Sequence, residues 1–173
     1  MMSLQSNDFE LFGLKPCFAQ DRAVLDARWK DLQRQAHPDK FAAQGASAQR
    51  VAMQWSVRIN EAYQRLKDPL KRAAYLCELN GAPVNAENNT AMPAAFLMQQ
   101  MAWREELEEA QHADALEQLR QQVKQAERAA HERLAQLLDL QQAWADAAGQ
   151  VRILMFIERF ARDLDQRLDQ IEI

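Results

Sequence analysis

Residues 25–39 constrain the fold of this chain most, because they predict a helix and also the point at which it must end. Apolar side chains recur at intervals of four, three and four residues, which predicts one buried face of an α-helix, made of Leu25, Trp29, Leu32 and Ala36. Pro38 has no amide proton and disfavours helical backbone at His37, so we expect the helix to end there. The polar turn that follows displays an imidazole and the carboxylate of Asp39.

Helical patterns flank this turn on both sides. A short apolar helix is expected from about Asp8 to Gly13, with Asp8 in the first turn, where it favours the helix dipole. After a loop over residues 39–46, Ser47 is expected to cap a long helix with the apolar stripe Ala52, Trp55, Ile59, Ala62 or Tyr63, and Leu66. A further helix starts at Asp68-Pro69 and ends at Asn80-Gly81. We therefore predict an antiparallel helical hairpin with short helices beside it.

The second half of the chain reads as a separate helical bundle. Residues 82–93 break every periodicity with Asn, Pro and Thr. Three amphipathic helices follow, over about 94–111, 114–140 and within 142–172. Asp114 is expected to cap the second, and Gly149 marks the point where a break in the third would fall. We predict an all-α protein with an N-terminal domain (1–80), a linker (81–93) and an antiparallel three-helix bundle (94–173).

Charge and composition exclude several classes of function. Residues 1–80 hold 12 Lys/Arg and 9 Asp/Glu, whereas residues 81–173 hold 9 and 16, which favours two surfaces with different partners over a nucleic-acid binder. The two cysteines form no Cys-x-x-Cys pair, and the three histidines have no metal-ligand spacing. Without a convergent polar site, a cofactor motif, a membrane span or a targeting segment, we expect a cytoplasmic protein that is not an enzyme and binds no cofactor or metal.

The first helix of the bundle carries apolar residues outside its own core stripe. Phe96, Trp103, Leu107 and Ala110 are spaced for the core, whereas Leu97, Met98 and Met101 lie off it. Met98 and Met101 continue in one line through Glu105 and Glu109. In the last helix, Phe156 falls partly outside the seam. An exposed apolar patch edged with carboxylates is typical of a partner site, but the same residues could also widen the core.

The whole pattern resembles two known modules. Short helix, basic helix, His37-Pro38-Asp39, long helix and Asp68-Pro69 together resemble the J-domain of DnaJ-type co-chaperones over about residues 7–79. With the acidic bundle containing Ala-Phe-Leu-Met-Gln-Gln-Met-Ala-Trp-Arg-Glu-Glu-Leu, the chain is similar to the HscB family, co-chaperones of bacterial iron–sulfur cluster assembly. Two positions depart from the usual pattern: Trp29 stands where a tyrosine is common, and Ala102 where the family often has an acid.

The resemblance implies a function and two sets of site residues. The N-terminal domain would stimulate the ATPase of a specialised DnaK-type chaperone, HscA, and the bundle would deliver the iron–sulfur scaffold protein IscU to it. Contact with the ATPase is implied for seven residues, namely His37, Pro38, Asp39, Arg28, Lys30, Arg34 and Lys40. Scaffold binding is implied for six, namely Leu97, Met98, Met101, Glu105, Glu109 and Phe156. The alternative is a general J-domain co-chaperone that presents unfolded clients to DnaK.

Overall fold

The chain is entirely helical in its regular structure over the residues that the computed structural model describes, 3–86 and 92–172. In order, the helices are α1 (Asp8–Phe12), α2 (Arg22–Ala36), α3 (Ala46–Lys67), α4 (Pro69–Leu79), α5 (Ala94–Glu109), α6 (Ala113–Ala135) and α7 (Trp144–Glu172). None of these is long and apolar enough to cross a membrane. The predicted all-α class is therefore confirmed.

Two compact units make up the chain, Met1–Leu76 and Cys77–Ile173. The division falls inside α4, slightly before the predicted end of the first domain. Residues 81–86 of the predicted linker are described, and the Val84 carbonyl accepts a hydrogen bond from Arg152 Nη1 of α7 at 2.9 Å. This hydrogen bond holds the segment against α7, within the second unit. Residues 87–91 of the predicted linker lie outside the described residues.

In the first unit, α2 and α3 form the predicted hairpin and α1 packs against both. A capping box at Asn7 and Glu10 starts α1, and Gly13 ends it with a φ of 63°. That left-handed backbone favours glycine, and a Cβ here would also lie 2.7 Å from Arg28 Nη1. The buried face of α1 is apolar and consists of Phe9, Leu11 and Phe12.

Asp8 has a larger role than the favourable dipole contact expected from its place in the first turn. Its side chain is completely buried, with an oxygen 2.8 Å from Arg58 Nη1 and another 2.5 Å from Arg65 Nε. The Tyr75 hydroxyl lies 3.0 Å from the Asp8 backbone nitrogen. Because a buried carboxylate must be paired, this network ties α1 to α3.

The predicted buried face of α2 is only partly buried. Leu25 is 1% exposed, but Trp29, Leu32 and Ala36 keep intermediate exposure. Leu32 and Ala36 border an open groove that Phe41 and Trp55 also line, and Trp29 stacks on the Tyr63 ring at 4.6 Å. The predicted stripe of α3 is buried at Ala52, Ile59, Ala62 and Leu66, which confirms those positions. Its remaining member, Trp55, is half-buried. The α2 side of the hairpin therefore stays partly open.

Helix starts differ from the prediction at two places. The segment Pro38–Gln44, predicted to be a loop, is a 3₁₀ helix, and α3 starts after Gly45 without a side-chain cap. Gly45 has a φ of 98°, which allows the reversal that moves the helix start ahead of Ser47. His112, not Asp114, occupies the N-cap position of α6, which places Asp114 in the first turn. The prediction of Ser47 and Asp114 as caps was wrong.

The second unit has the predicted antiparallel three-helix order. Arg120 on α6 approaches Asp165 on α7 at 3.6 Å, and α7 continues through Gly149 without a break. Aromatic contacts hold α5 to α7, including a 5.4 Å contact between the Trp103 and Phe160 rings. After α6, residues Gln136–Leu140 form a short π-helix that leads into the turn. The core is aliphatic along α6 and α7, and includes Leu116, Leu119, Val123, Leu134, Val151, Leu154, Ile157 and Leu164.

Candidate protein-binding surfaces

The His-Pro-Asp turn (His37, Pro38 and Asp39) is presented to solvent at the end of α2. His37 has extended backbone, as expected for a residue before proline, and it serves as N-cap of the 3₁₀ helix. The Asp39 backbone N–H donates to His37 Nδ1 at 3.2 Å. Side-chain exposure is 57% for His37 and 91% for Asp39. The turn therefore holds its imidazole in one orientation and leaves its carboxylate accessible.

The cap defines which nitrogen of the His37 ring accepts a hydrogen bond. A nitrogen that accepts a hydrogen bond has no proton of its own, so Nδ1 carries the lone pair. The ring proton of the neutral imidazole then resides on Nε2, which can donate to a partner. The hydrogen bond therefore leaves Nε2 as the ring atom that faces a partner as a donor.

The four predicted basic residues differ in what they do. Arg28 Nη1 donates to the Phe12 carbonyl at 3.0 Å, so this side chain fastens the end of α1. Arg34 lies 3.4 Å from Asp31 of the same helix, which offsets part of its charge. Lys30 and Lys40 are solvent-exposed. Arg28 therefore has a structural role. Lys30 and Lys40 remain accessible to a partner, and Arg34 is accessible with part of its charge offset.

The α5 patch, defined as Leu97, Met98, Met101, Glu105 and Glu109, is accessible along the outer face of its helix. Leu97 is 45% exposed, Met98 71% and Met101 70%, and both glutamates are exposed. These methionines do not widen the core, which was the alternative to a partner site. Large exposed apolar side chains next to one another are unusual on a surface without a partner. Methionine also adapts to irregular surfaces.

Phe156 on α7, the remaining residue predicted to bind the scaffold, is packed differently from the α5 patch. Its ring meets Phe96 edge-on at 5.6 Å and stacks on Phe160 at 6.2 Å. The Arg104 guanidinium lies 5.6 Å from the ring centroid, a cation–π contact that sequence reasoning missed because the two residues are far apart in the chain. Phe156 is half-buried, so it supports α5 as well as lying at the predicted surface.

Comparison with known proteins covers the whole chain. A family model described as the HSCB C-terminal oligomerisation domain matches residues 92–165. The chain is 50% identical over 177 residues to a co-chaperone protein HscB homolog of Burkholderia multivorans, with 99% of each covered. The chain belongs to the HscB family of co-chaperones. The resemblance stated from the sequence is therefore confirmed.

Solved HscB structures agree with the fold. The chaperone HscB from Vibrio cholerae superimposes with a TM-score of 0.82 at 37% identity, covering 96% of this chain and 99% of that one. Human co-chaperone protein HscB gives a TM-score of 0.89 at 24% identity over 99% of this chain and 86% of that one, a likeness of fold alone. As in HscB, the first unit is a J-domain and the second is a helical bundle.

Proposed function

We propose that this HscB co-chaperone stimulates the ATPase of a specialised DnaK-type chaperone of the HscA kind and delivers an iron–sulfur scaffold protein of the IscU kind to it. It would act in the cytoplasm, without catalysis of its own, to assist the maturation of iron–sulfur proteins. The observation that carries the proposal is the full-length similarity to HscB co-chaperones. The two exposed surfaces supply the residues.

The ATPase half of the proposal rests on the His-Pro-Asp turn. The exposed Asp39 carboxylate and the His37 Nε2–H can each make a directed hydrogen bond to a partner, and Pro38 keeps the turn rigid. Lys30, Arg34 and Lys40 add positive charge that would steer the J-domain to an acidic surface. Stimulation requires that the turn bind the hydrolysis-competent state of the ATPase more tightly than the resting state.

The scaffold half rests on the α5 patch. Leu97, Met98 and Met101 offer apolar surface that a partner can cover, and Glu105 and Glu109 would orient a basic surface on that partner. One molecule that carries both surfaces raises the concentration of the scaffold near the ATPase without any new contact. The acidic balance of residues 81–173, against the basic balance of residues 1–80, suits two different partners.

Steady-state ATPase measurements test the proposal. The HscA-type chaperone is assayed alone, with this protein, with an IscU-type scaffold and with both, and we expect the highest rate with both. His37→Asn should abolish stimulation although asparagine is a good cap, because its side chain has no donor where Nε2 lies. Asp39→Asn should also abolish stimulation, because it removes the exposed carboxylate that would accept from the partner. The fold should be kept, since this side chain is 91% exposed.

Both variants should keep wild-type affinity for the scaffold, measured by calorimetry with helicity checked by circular dichroism. Full stimulation by His37→Asn would contradict the role of the imidazole. No stimulation by the unaltered protein would contradict the proposal itself. A general J-domain co-chaperone is distinguished by its clients: that alternative predicts binding of many unfolded chains, whereas this proposal predicts preference for the folded scaffold.

A further inference from the structure

Three potential metal ligands come together on α6 and α7, although the three histidines have no metal-ligand spacing along the chain. Glu127 and His131 lie one helical turn apart on α6, and Glu158 approaches them from α7. One ligand atom from each residue lies within 4.8 Å of the others, and all three side chains are half-buried. We propose that this Glu-His-Glu cluster binds a divalent first-row transition metal ion, with Zn²⁺ as the best match.

The donor set supports this choice. One imidazole nitrogen and two carboxylate oxygens form a set of three ligands that zinc accepts in proteins, with a fourth position left for water. Two ligand atoms on a tetrahedral zinc lie roughly 3.3 Å apart when metal–ligand distances are about 2.0–2.1 Å. The flexible glutamate side chains can close the remaining distance by rotation. A divalent cation would also offset the repulsion between two neighbouring carboxylates.

The backbone that carries the ligands is firmly held. Val123, Ala130 and Leu134 on α6, and Leu154 and Ile157 on α7, are each at most 3% exposed. Ligands on packed helices keep their relative positions better than ligands on loops. The cluster therefore needs side-chain adjustment only, and a bound ion would join α6 to α7.

The cluster lies apart from the surface proposed for the scaffold. The groove in which α5 meets α6 and α7 is lined on α6 by Gln122, Gln125, Ala126, Ala129 and Ala130, and neither Glu127 nor His131 takes part in it. On the helical period, Glu127 and His131 fall on the opposite flank of the α6 core stripe. The inference consequently goes beyond the proposed function, and changes here should leave ATPase stimulation and scaffold binding as they are.

Zinc binding by the full-length protein tests the proposal. Zn²⁺ is titrated in competition with a chromophoric chelator, and stoichiometry is measured by equilibrium dialysis. We expect one ion per chain for the unaltered protein and an affinity at least tenfold weaker for both His131→Gln and Glu158→Gln. His112→Gln is the matched control, because His112 is exposed in the same unit and lies outside the cluster. This control should bind zinc as the unaltered protein does.

A second readout separates a built site from a surface histidine. An ion bound only by the folded state raises the thermal unfolding midpoint, so added Zn²⁺ should raise it for the unaltered protein and for His112→Gln. The shift should be absent in Glu158→Gln, which keeps the shape of the side chain and serves if His131→Gln fails to fold. Failure of the unaltered protein to retain zinc, or equal losses in His112→Gln and His131→Gln, would overturn the proposal.

Discussion

Replacing Met98 and Met101 together by alanine should weaken scaffold binding strongly and leave the fold almost unchanged. Both side chains lie on the outer face of α5 and are 71% and 70% exposed. They therefore contribute little to the stability of the free protein, and we expect the free energy of unfolding to change by less than about 0.5 kcal/mol each. Their apolar surface becomes useful only when a partner covers it.

The size of the effect follows from that exposed surface. Full burial of a methionine side chain is worth about 1.5–3 kcal/mol. Because about seven-tenths of each side chain is still exposed, a partner that covers both gains ~2–4 kcal/mol from them. Loss of this contribution raises the Kd by roughly 30- to 700-fold. The change should appear mainly in the dissociation rate.

Isothermal calorimetry with an IscU-type scaffold measures the affinity, and urea denaturation measures the stability. Leu140→Ala is the matched control, since Leu140 is 80% exposed in the same unit but lies at the turn before α7. The control should bind the scaffold normally. Phe156 is a poorer probe, because its ring packs on Phe96 and Phe160, so its loss would also loosen α5. Unchanged affinity of the double variant would refute the assignment of the α5 patch.

Three further predictions concern the first unit and the end of α4. Asp8→Asn should lower the free energy of unfolding, measured in urea, by about 3–5 kcal/mol, because it leaves two arginines without their buried carboxylate. The control Asp31→Asn, at an exposed carboxylate, should change it by under about 0.5 kcal/mol. Equal effects of the two substitutions would contradict the role of the network. Burial raises the pKa of the Cys77 thiol from 9.0 to about 11. The unfolded chain therefore loses this proton at lower pH, and the thiol's contribution to stability, up to about 3 kcal/mol, is lost as pH rises from about 9 to about 11. Alkaline urea titrations should show this component in the unaltered protein and not in Cys77→Ala. Charge reversal at Lys30 and Lys40 should raise the concentration needed for half-maximal ATPase stimulation, and stimulation by the unaltered protein should weaken as salt rises; a salt-independent affinity would argue against steering.

Local patterns predicted the J-domain well because its helices end at residues with strong local effects. Pro38 ends α2, Asp68 and Pro69 start α4, and the glycine after α1 ends it, as expected from backbone chemistry alone. The errors arose where a neighbour competes with a local preference. Ser47 is a good cap by type, yet the backbone of Gly45 already turns the chain before it. In the α2–α3 hairpin, the apolar period correctly predicted which residues of α2 face α3. It could not predict how deeply those residues are buried.

The candidate surfaces were predicted as residues on a helix face, and the structure adds what each one touches. A period of 3.6 residues places Arg28 and Lys30 outside the buried stripe, but only the fold shows that Arg28 bonds to the Phe12 carbonyl. The same period puts Met98 and Phe156 outside the core stripes. Only packing distinguishes an exposed methionine from a phenylalanine held between two other rings and an arginine.

The amino-acid sequence by itself determined the all-α class, the helix order, the His-Pro-Asp turn and the family, because these depend on residue type and spacing along one chain. Tertiary structure alone decided that Asp8 is buried between two arginines and that Glu127, His131 and Glu158 meet. The physical reason is that burial and ligand geometry depend on side chains from distant helices. Spacing within one helix indicates which face a residue lies on. Which side chain it contacts there depends on how the other helices pack against that face.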